Sequence, residues 1–149
     1  MAAGLIKTSE NWGILLIRLA LGTIMFAHGA QKVFGWWGGP GLDQWTSQTA
    51  PFPEMRPNWL WLGAAAVSEL VGGAMVIIGL YTRIGAFFIS CVMLTAILGV
   101  HWKHGFFFKT GGEVPGFEYP MALLGMALAL LVHGGGSASI DSQMAGGKK

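Results

Sequence analysis

The 149-residue sequence contains little charge and almost no cysteine. Asp, Glu, Lys and Arg make up 11% of the chain, against about 25% in an ordinary soluble domain. The formal net charge is only +2, so the sequence predicts no basic surface for nucleic acid. Cys91 is the single cysteine and lies inside an apolar run. This excludes a disulfide within the chain and a thiolate metal cluster.

Motifs of self-contained enzymes are missing as well. The sequence has no Gly-rich phosphate loop, no C-x-x-C and no H-E-x-x-H. The segments between its apolar runs are too short to fold as a catalytic domain. We therefore leave open whether the chain is an enzyme, and expect any such role to be that of an accessory subunit. No metal site and no intrinsic cofactor are expected.

Long apolar runs are what the sequence has instead. Hydrophobic residues make up 53% of it, and four runs approach the roughly 20 residues that a helix needs to cross a bilayer. The fold class predicted is all-α, an integral membrane four-helix bundle formed by one domain over residues 1–149. The helices are expected at about residues 12–34, 59–81, 84–102 and 117–133, with an interfacial loop at 35–58.

The orientation of the protein in the membrane is predicted from the segments at the two ends of the chain. Lys7 before an apolar run would suit a cleaved signal peptide, but Arg18 inside the run argues against one. Four helices place both termini on one side, and the balance of Lys and Arg slightly favours the cytoplasmic side. The Gly- and Ser-rich segment after His133 is predicted to be a flexible polar tail.

Aromatic and basic residues near the ends of the runs are candidates for anchors at the membrane–water interface. Amphipathic rings and long cationic side chains prefer the headgroup level. The predicted anchors are Trp36, Trp37, Trp45, Trp59, Tyr81, Arg83 and Trp102.

Ionisable residues inside the runs are the candidate functional groups. Glu69 lies near the middle of the second run, where an unpaired carboxylate costs about 2.5–3.5 kcal/mol. Arg18 and Lys32 share one stripe of the first helix, with His28 about 80° away. Depth along the helices allows an Arg18–Glu69 ion pair that would neutralise both buried charges, with His28 as a third member on the loop side. This cluster is either a structural pair that sets helix register or a site for a proton or ligand.

Histidines near the loop face admit two interpretations. His28, His101 and His104 could ligate a metal or haem, although a histidine at headgroup level is usually just a polar helix end. A quinone fits His28 better, since it asks for one or two hydrogen bonds in an apolar, aromatic pocket. The predicted polar site therefore comprises Arg18, His28, Lys32, Glu69 and His101, and quinone is the one external ligand considered.

The order and spacing of these pieces resemble the DoxX family of small four-helix membrane proteins. In the first run the matching segments are RLALG at 18–22 and AHG at 27–29, followed by Lys32. In the second run and the turn after it they are ELVGG at 69–73, GL at 79–80 and TR at 82–83. His101 and the glycine-rich ending at 134–141 complete the match. The resemblance implies a bacterial inner-membrane protein found with oxidoreductases, some relatives being subunits of a thiosulfate:quinone oxidoreductase. Nothing here supplies a thiol for thiosulfate, so a partner subunit would carry the sulfur chemistry.

The leading functional hypothesis is a membrane subunit or anchor of a quinone- or thiol-linked redox assembly, with oxidoreductase subunits as partners. The second is a non-catalytic membrane scaffold whose polar groups only specify helix packing. The third is a small transporter, which four helices could form only as a homo-oligomer.

Overall fold

A computed structural model describes residues 11–108 and 114–146 of the chain. The described residues form helices and connecting loops, with no β-strand among them. In chain order the helices are α1 (Trp12–Phe34), α2 (Gly41–Thr46), α3 (Asn58–Ile78), α4 (Thr82–Ala96), α5 (Glu118–His133) and α6 (Ile140–Gly146). The α4 helix continues as one π-helical turn, Ile97–His101, and a 3-10 turn, Trp102–His104.

Three of these helices are long and apolar enough to cross a membrane. They are Trp12–Phe34, Asn58–Ile78 and the continuous segment Thr82–His104. The fourth apolar helix, α5, has 16 residues and is about 24 Å long at 1.5 Å per residue. It packs against α4 and α1, so that α1, α3, α4 and α5 close into a bundle. The prediction of an all-α, membrane-embedded helical bundle is confirmed.

Glycines bring the backbones of α1 and α3 into contact. A Cβ atom on Gly29 would lie 2.3 Å from the backbone N of Leu70, and one on Gly73 would lie 2.5 Å from that of Phe26. Glycine at both positions therefore lets the helices approach more closely than any side chain allows. These contacts set the antiparallel register of α1 against α3, on which the positions of the polar residues depend.

Substituting Gly29 with alanine is expected to destabilise the bundle by about 1–3 kcal/mol, because the added methyl group overpacks a backbone contact. Gly125→Ala is the matched control, since a Cβ there meets nothing within 4 Å and alanine is the better helix former. Unfolding in mixed micelles measures both. Equal stability of the two variants would contradict the close approach of α1 and α3.

The apolar core lies along the inner faces of α1, α3, α4 and α5. Leu21, Val76, Ala86 and Ile89 are all fully buried in it. The core cluster comprises Ile14, Leu21, Met25, Val76, Ala86, Ile89, Met93, Leu123, Ala127 and Leu130.

The connection between α3 and α4 differs from the one predicted. The sequence predicts helix to Tyr81 and again from Ile84, whereas α3 ends at Ile78 and α4 begins at Thr82. Gly79, with φ of 72°, ends α3 in the left-handed conformation that favours glycine. The carboxylate of Asp141 accepts the N–H groups of Tyr81 and Thr82 at 2.7 and 2.9 Å. A residue distant in sequence therefore caps α4, and no local pattern reveals this.

The C-terminal segment is ordered against the bundle, and the prediction of a flexible tail is wrong for residues 134–146. Gly134, Gly135 and Gly136 are buried, as are Ser139 and Asp141, which are 2% and 1% exposed. The segment enters the fold because its backbone carbonyls and its one carboxylate satisfy buried groups of the bundle. Residues 1–10, which include Lys7, lie outside the described residues.

Candidate functional site

The predicted polar residues fall into two separate groups at opposite ends of α1. Arg18 lies at the end where residues 134–146 dock, whereas Lys32, Glu69, His28 and His101 lie toward the loop end. The register of α1 on α3 places Arg18 beside Gly79, since a Cβ atom there would lie 2.7 Å from the Arg18 Cζ atom. Ten residues of chain, or about 15 Å of helix rise, separate Gly79 from Glu69. The Arg18–Glu69 pair that the sequence allows is not formed, because one side chain cannot cover that distance.

Arg18 is bound by four backbone carbonyls. It is 1% exposed, and its Nε and Nη2 atoms donate to the carbonyls of Val76 and Ile77 at 2.9 and 2.6 Å. Its Nη1 atom donates to Gly135 and Ala138 at 2.8 and 2.7 Å. The first two carbonyls end α3 and the last two belong to the C-terminal segment. Arg18 therefore connects α1 to the end of α3 and to the C-terminal segment, which is a structural role.

Glu69 is paired with Lys32. The Lys32 ammonium donates to Glu69 Oε2, and the two side chains are 16% and 4% exposed. Lys32 Nζ also lies 4.8 Å from the centroid of the Trp45 ring, a cation–π distance. Lys32 is one turn beyond Gly29, which touches Leu70, the neighbour of Glu69. That backbone contact brings Lys32 to the level of Glu69, and it exists only in the packed structure.

A cavity of about 550 Å³ lies beside this ion pair. Its walls are mainly apolar and aromatic side chains from α1, α3, α4, α5 and the α2–α3 segment. A volume within roughly 300–1,000 Å³, with a few polar groups in an apolar wall, is typical of small-molecule sites. The polar side chains that line it are His28, Lys32, Ser68, Glu69, Thr95, His101 and Tyr119.

Four of the five predicted site residues line this cavity, in different settings. Glu69 is buried, Lys32 is half-buried and His101 is held through a 2.7 Å contact between Nδ1 and the carbonyl of Pro115. His28, predicted to be buried, is exposed on the rim, where its ring centroid lies 6.5 Å from that of Tyr119. The reason is its angle on α1, which turns it away from the stripe that faces α3.

Tyr119 and Trp45 are among the cavity residues that were not assigned to the site from the sequence. Tyr119, on the first turn of α5, lies on the same rim of the cavity as His28, across from it. Trp45, predicted as an interface anchor, donates its indole N–H to the carbonyl of Leu62 at 2.8 Å and lines the cavity. The short helix α2 packs on α1 and α3, and that packing carries Trp45 over Lys32. The sequence around Trp45 contains no pattern from which the packing of α2 against α1 and α3 could be predicted.

The other predicted anchors lie at helix ends with exposed rings, and their membrane depth stays a prediction. Trp102 stacks on Phe117 with ring centroids 5.1 Å apart. Arg83 is different, since its guanidinium donates to the carbonyls of Leu131 and Val132 at the end of α5. The exposed aromatic anchors are Trp36, Trp37, Trp59, Tyr81 and Trp102.

Over residues 11–108 and 114–146, no three His, Cys, Asp or Glu side chains come together as a metal site. Metal ligation by a cluster of the loop-side histidines, part of one interpretation of the sequence, has no group of three ligands to support it in this part of the chain.

The fold and cavity define a helical membrane protein with an ion pair beside an apolar chamber. The chain belongs to the DoxX family, whose sequence profile matches residues 13–102. The match covers α1 to α4, including Arg18, Lys32 and Glu69, but not α5 or the C-terminal segment. The chain is also 32% identical over 118 residues to the protein named "Putative oxidoreductase CatD" of Bacillus subtilis (strain 168), covering 79% of this chain and 78% of that protein. No solved structure matches the chain significantly.

Proposed function

We propose that this DoxX family membrane protein binds a quinone in the cavity and acts as a membrane subunit of a redox assembly. The observation that carries the proposal is the buried Lys32–Glu69 pair at the wall of a 550 Å³ apolar cavity. A charged pair at bilayer depth is costly and is by default a functional-site hypothesis. The name of the Bacillus relative, an oxidoreductase, supports the redox part of the proposal.

The donors of the cavity fit the chemistry of a quinone. A quinone presents a flat ring with a carbonyl acceptor at each end, and both acceptors need hydrogen-bond donors in an otherwise apolar site. Lys32 and, on the rim, His28 and Tyr119 supply donors from α1 and α5. Trp45 adds an aromatic face on the side of Lys32.

Quinone reduction to quinol takes up two electrons and two protons, so a site for it needs a source of both. In this proposal the electrons come from an oxidoreductase partner. Glu69 and His28 are the proton-exchanging groups of the chain, Glu69 inside the cavity and His28 on its exposed rim. Lys32 holds the Glu69 carboxylate in place and balances its charge. We further propose the bacterial inner membrane as the location, with both termini in the cytoplasm.

Binding of a fully substituted benzoquinone to the purified protein, measured by calorimetry, tests the proposal. Glu69→Gln and His28→Ala are each expected to weaken binding about tenfold, equivalent to about 1.4 kcal/mol. The first variant removes the carboxylate that positions Lys32, and the second removes a polar group on the rim. Glu54→Gln and His133→Ala are matched controls, since both residues are exposed and outside the cavity.

Both control variants are expected to bind benzoquinone as the wild type does. If the folded wild-type protein binds no benzoquinone, or if all variants bind with the same affinity, the cavity is not a quinone site.

A non-catalytic scaffold is the second candidate, and the environment of Arg18 favours it. The guanidinium donates four hydrogen bonds to backbone carbonyls of the chain itself, which is helix fastening and not ligand binding. In the scaffold, the Lys32–Glu69 pair would have the same purpose. Replacing that pair with apolar residues then preserves both folding and the assembly that co-purifies with the protein.

A further inference from the structure

We infer that the cavity opens sideways into the hydrocarbon of the bilayer between α3 and α4, so that its ligand is a long-tailed lipid-soluble molecule. The inference rests on the proposed function and narrows the ligand to a quinone whose alkyl or prenyl tail leaves through this gap. We call the gap, formed by Ala64 and Ser68 of α3 with Phe88 and Cys91 of α4, the α3–α4 opening.

The residues of the α3–α4 opening are at mid-membrane depth and reach the outer surface. Ser68 is at the centre of α3, and Cys91 is near the centre of the span Thr82–His104. Ala64 and Cys91 are exposed, and Phe88 is 48% exposed. All line the same cavity as Glu69. A cavity wall that is exposed at this depth faces lipid tails and not water.

The shape of the α3–α4 pair explains why the opening lies there. Near their connection the two helices touch through glycine, since a Cβ on Gly72 would lie 3.2 Å from the carbonyl O of Gly85. Farther along, Phe88 and other larger side chains occupy the facing surface, and the helices leave room for the cavity. At the loop end, Pro51 and Phe52 pack against Gly99, where an added Cβ atom would lie 2.6 and 3.0 Å from their side chains. That segment covers the end of the gap nearest to water.

The polar groups of the cavity are arranged for a ligand with a polar head and an apolar tail. Lys32 and Glu69 lie inside, while the α3–α4 opening presents a methyl group, a phenyl ring, a thiol and a single hydroxyl. The other exposed rim, between α1 and α5, carries the imidazole of His28 and the phenol of Tyr119. Hydrocarbon therefore matches the α3–α4 opening better, since an apolar tail beside His28 and Tyr119 would bury two polar groups without offering them a hydrogen bond.

Photocrosslinking in liposomes tests the route of the tail. The probe is a fully substituted benzoquinone with an alkyl tail that carries a diazirine, and the crosslinked residues are located by peptide mass spectrometry. We expect crosslinks at Ser68, Phe88 and Cys91 that an excess of the same quinone without diazirine removes. Competed crosslinks at His28 and Tyr119, or within residues 47–57, would overturn the α3–α4 opening even though the head binds.

A bulky side chain in the opening provides an independent test. Ala64→Phe is expected to weaken binding of the tailed quinone about tenfold and to leave unchanged the binding of the same ring with a methyl group instead of the tail. Val67→Phe is the matched control, because Val67 is 52% exposed on α3 and does not line the cavity.

The outcomes separate this inference from the proposed function. Tail-dependent loss in Ala64→Phe alone supports the opening. Equal affinity of the tailed quinone for both phenylalanine variants and the wild type overturns the opening but keeps quinone binding. Failure of both quinones to bind the wild type overturns the proposed function and, with it, the ligand inferred here.

Discussion

Arg18→Met is expected to release the C-terminal segment from the bundle and to lower the free energy of unfolding by about 3–5 kcal/mol, the usual cost of breaking a buried charged contact. The guanidinium is fully buried and satisfies carbonyls of Val76, Ile77, Gly135 and Ala138. Methionine fills similar space but donates no hydrogen bond, so these acceptors lose their partner at the point where α3 ends.

The effect should spread to the start of α4. Release of the segment removes the Asp141 carboxylate from the N–H groups of Tyr81 and Thr82. Amide hydrogen exchange is therefore expected to rise at Tyr81, at Thr82 and across residues 134–146, while Leu21 in the core stays protected. Unfolding in mixed micelles measures the stability, and hydrogen exchange followed by mass spectrometry locates the loss.

Two further variants make the Arg18 experiment specific. Arg18→Lys keeps the charge but lacks the planar fork of donors, so it should recover only part of the stability. Arg56→Met removes an arginine from an exposed position and is expected to change stability by no more than about 0.5 kcal/mol. Normal exchange at residues 134–146 in Arg18→Met would contradict the fastening role of the guanidinium.

The second large effect is expected from separating Lys32 and Glu69. Glu69→Leu leaves the ammonium of Lys32 without its partner, and Lys32→Met leaves a carboxylate that is 4% exposed. Each single variant should therefore lose about 3–5 kcal/mol, whereas Lys32→Met with Glu69→Leu should come close to the wild type, because an apolar pair needs no charge partner. The double-mutant cycle measures the coupling.

The same double variant distinguishes the two candidate functions. If the ion pair serves a ligand, the refolded double variant should no longer bind benzoquinone, although its stability is recovered. If the pair only fastens α1 to α3, any protein that co-purifies with the wild type should also co-purify with the double variant. Glu54→Leu is the control for replacing an exposed glutamate with leucine. If the losses of stability in the double-mutant cycle are additive, Lys32 and Glu69 do not act as a pair.

The sequence indicated that one region holds Lys32, Glu69, His28 and His101. It did not indicate which of these residues are in contact. Helical periodicity places Arg18 and Lys32 on one face of α1, and either cation is long enough to approach a carboxylate on α3. The decision between them depends on how α1 slides along α3, because Arg18 and Lys32 are about 21 Å apart along α1 at 1.5 Å per residue. Contacts of Gly29 with Leu70 and of Gly73 with Phe26 determine that sliding, and they exist only in the packed structure.

The sequence by itself determined the class of this protein. Four apolar runs with few charges leave no fold but a membrane-embedded helical bundle, because backbone groups in hydrocarbon must be satisfied within each helix. The order of short segments from Arg18 to His101 also indicated the DoxX family. The tertiary structure alone decided that Glu69 pairs with Lys32, that Trp45 folds over the cavity and that the Gly-rich ending docks on Arg18. These are contacts between residues far apart in the chain, and they follow from helix register and from which carbonyls remain unsatisfied at helix ends.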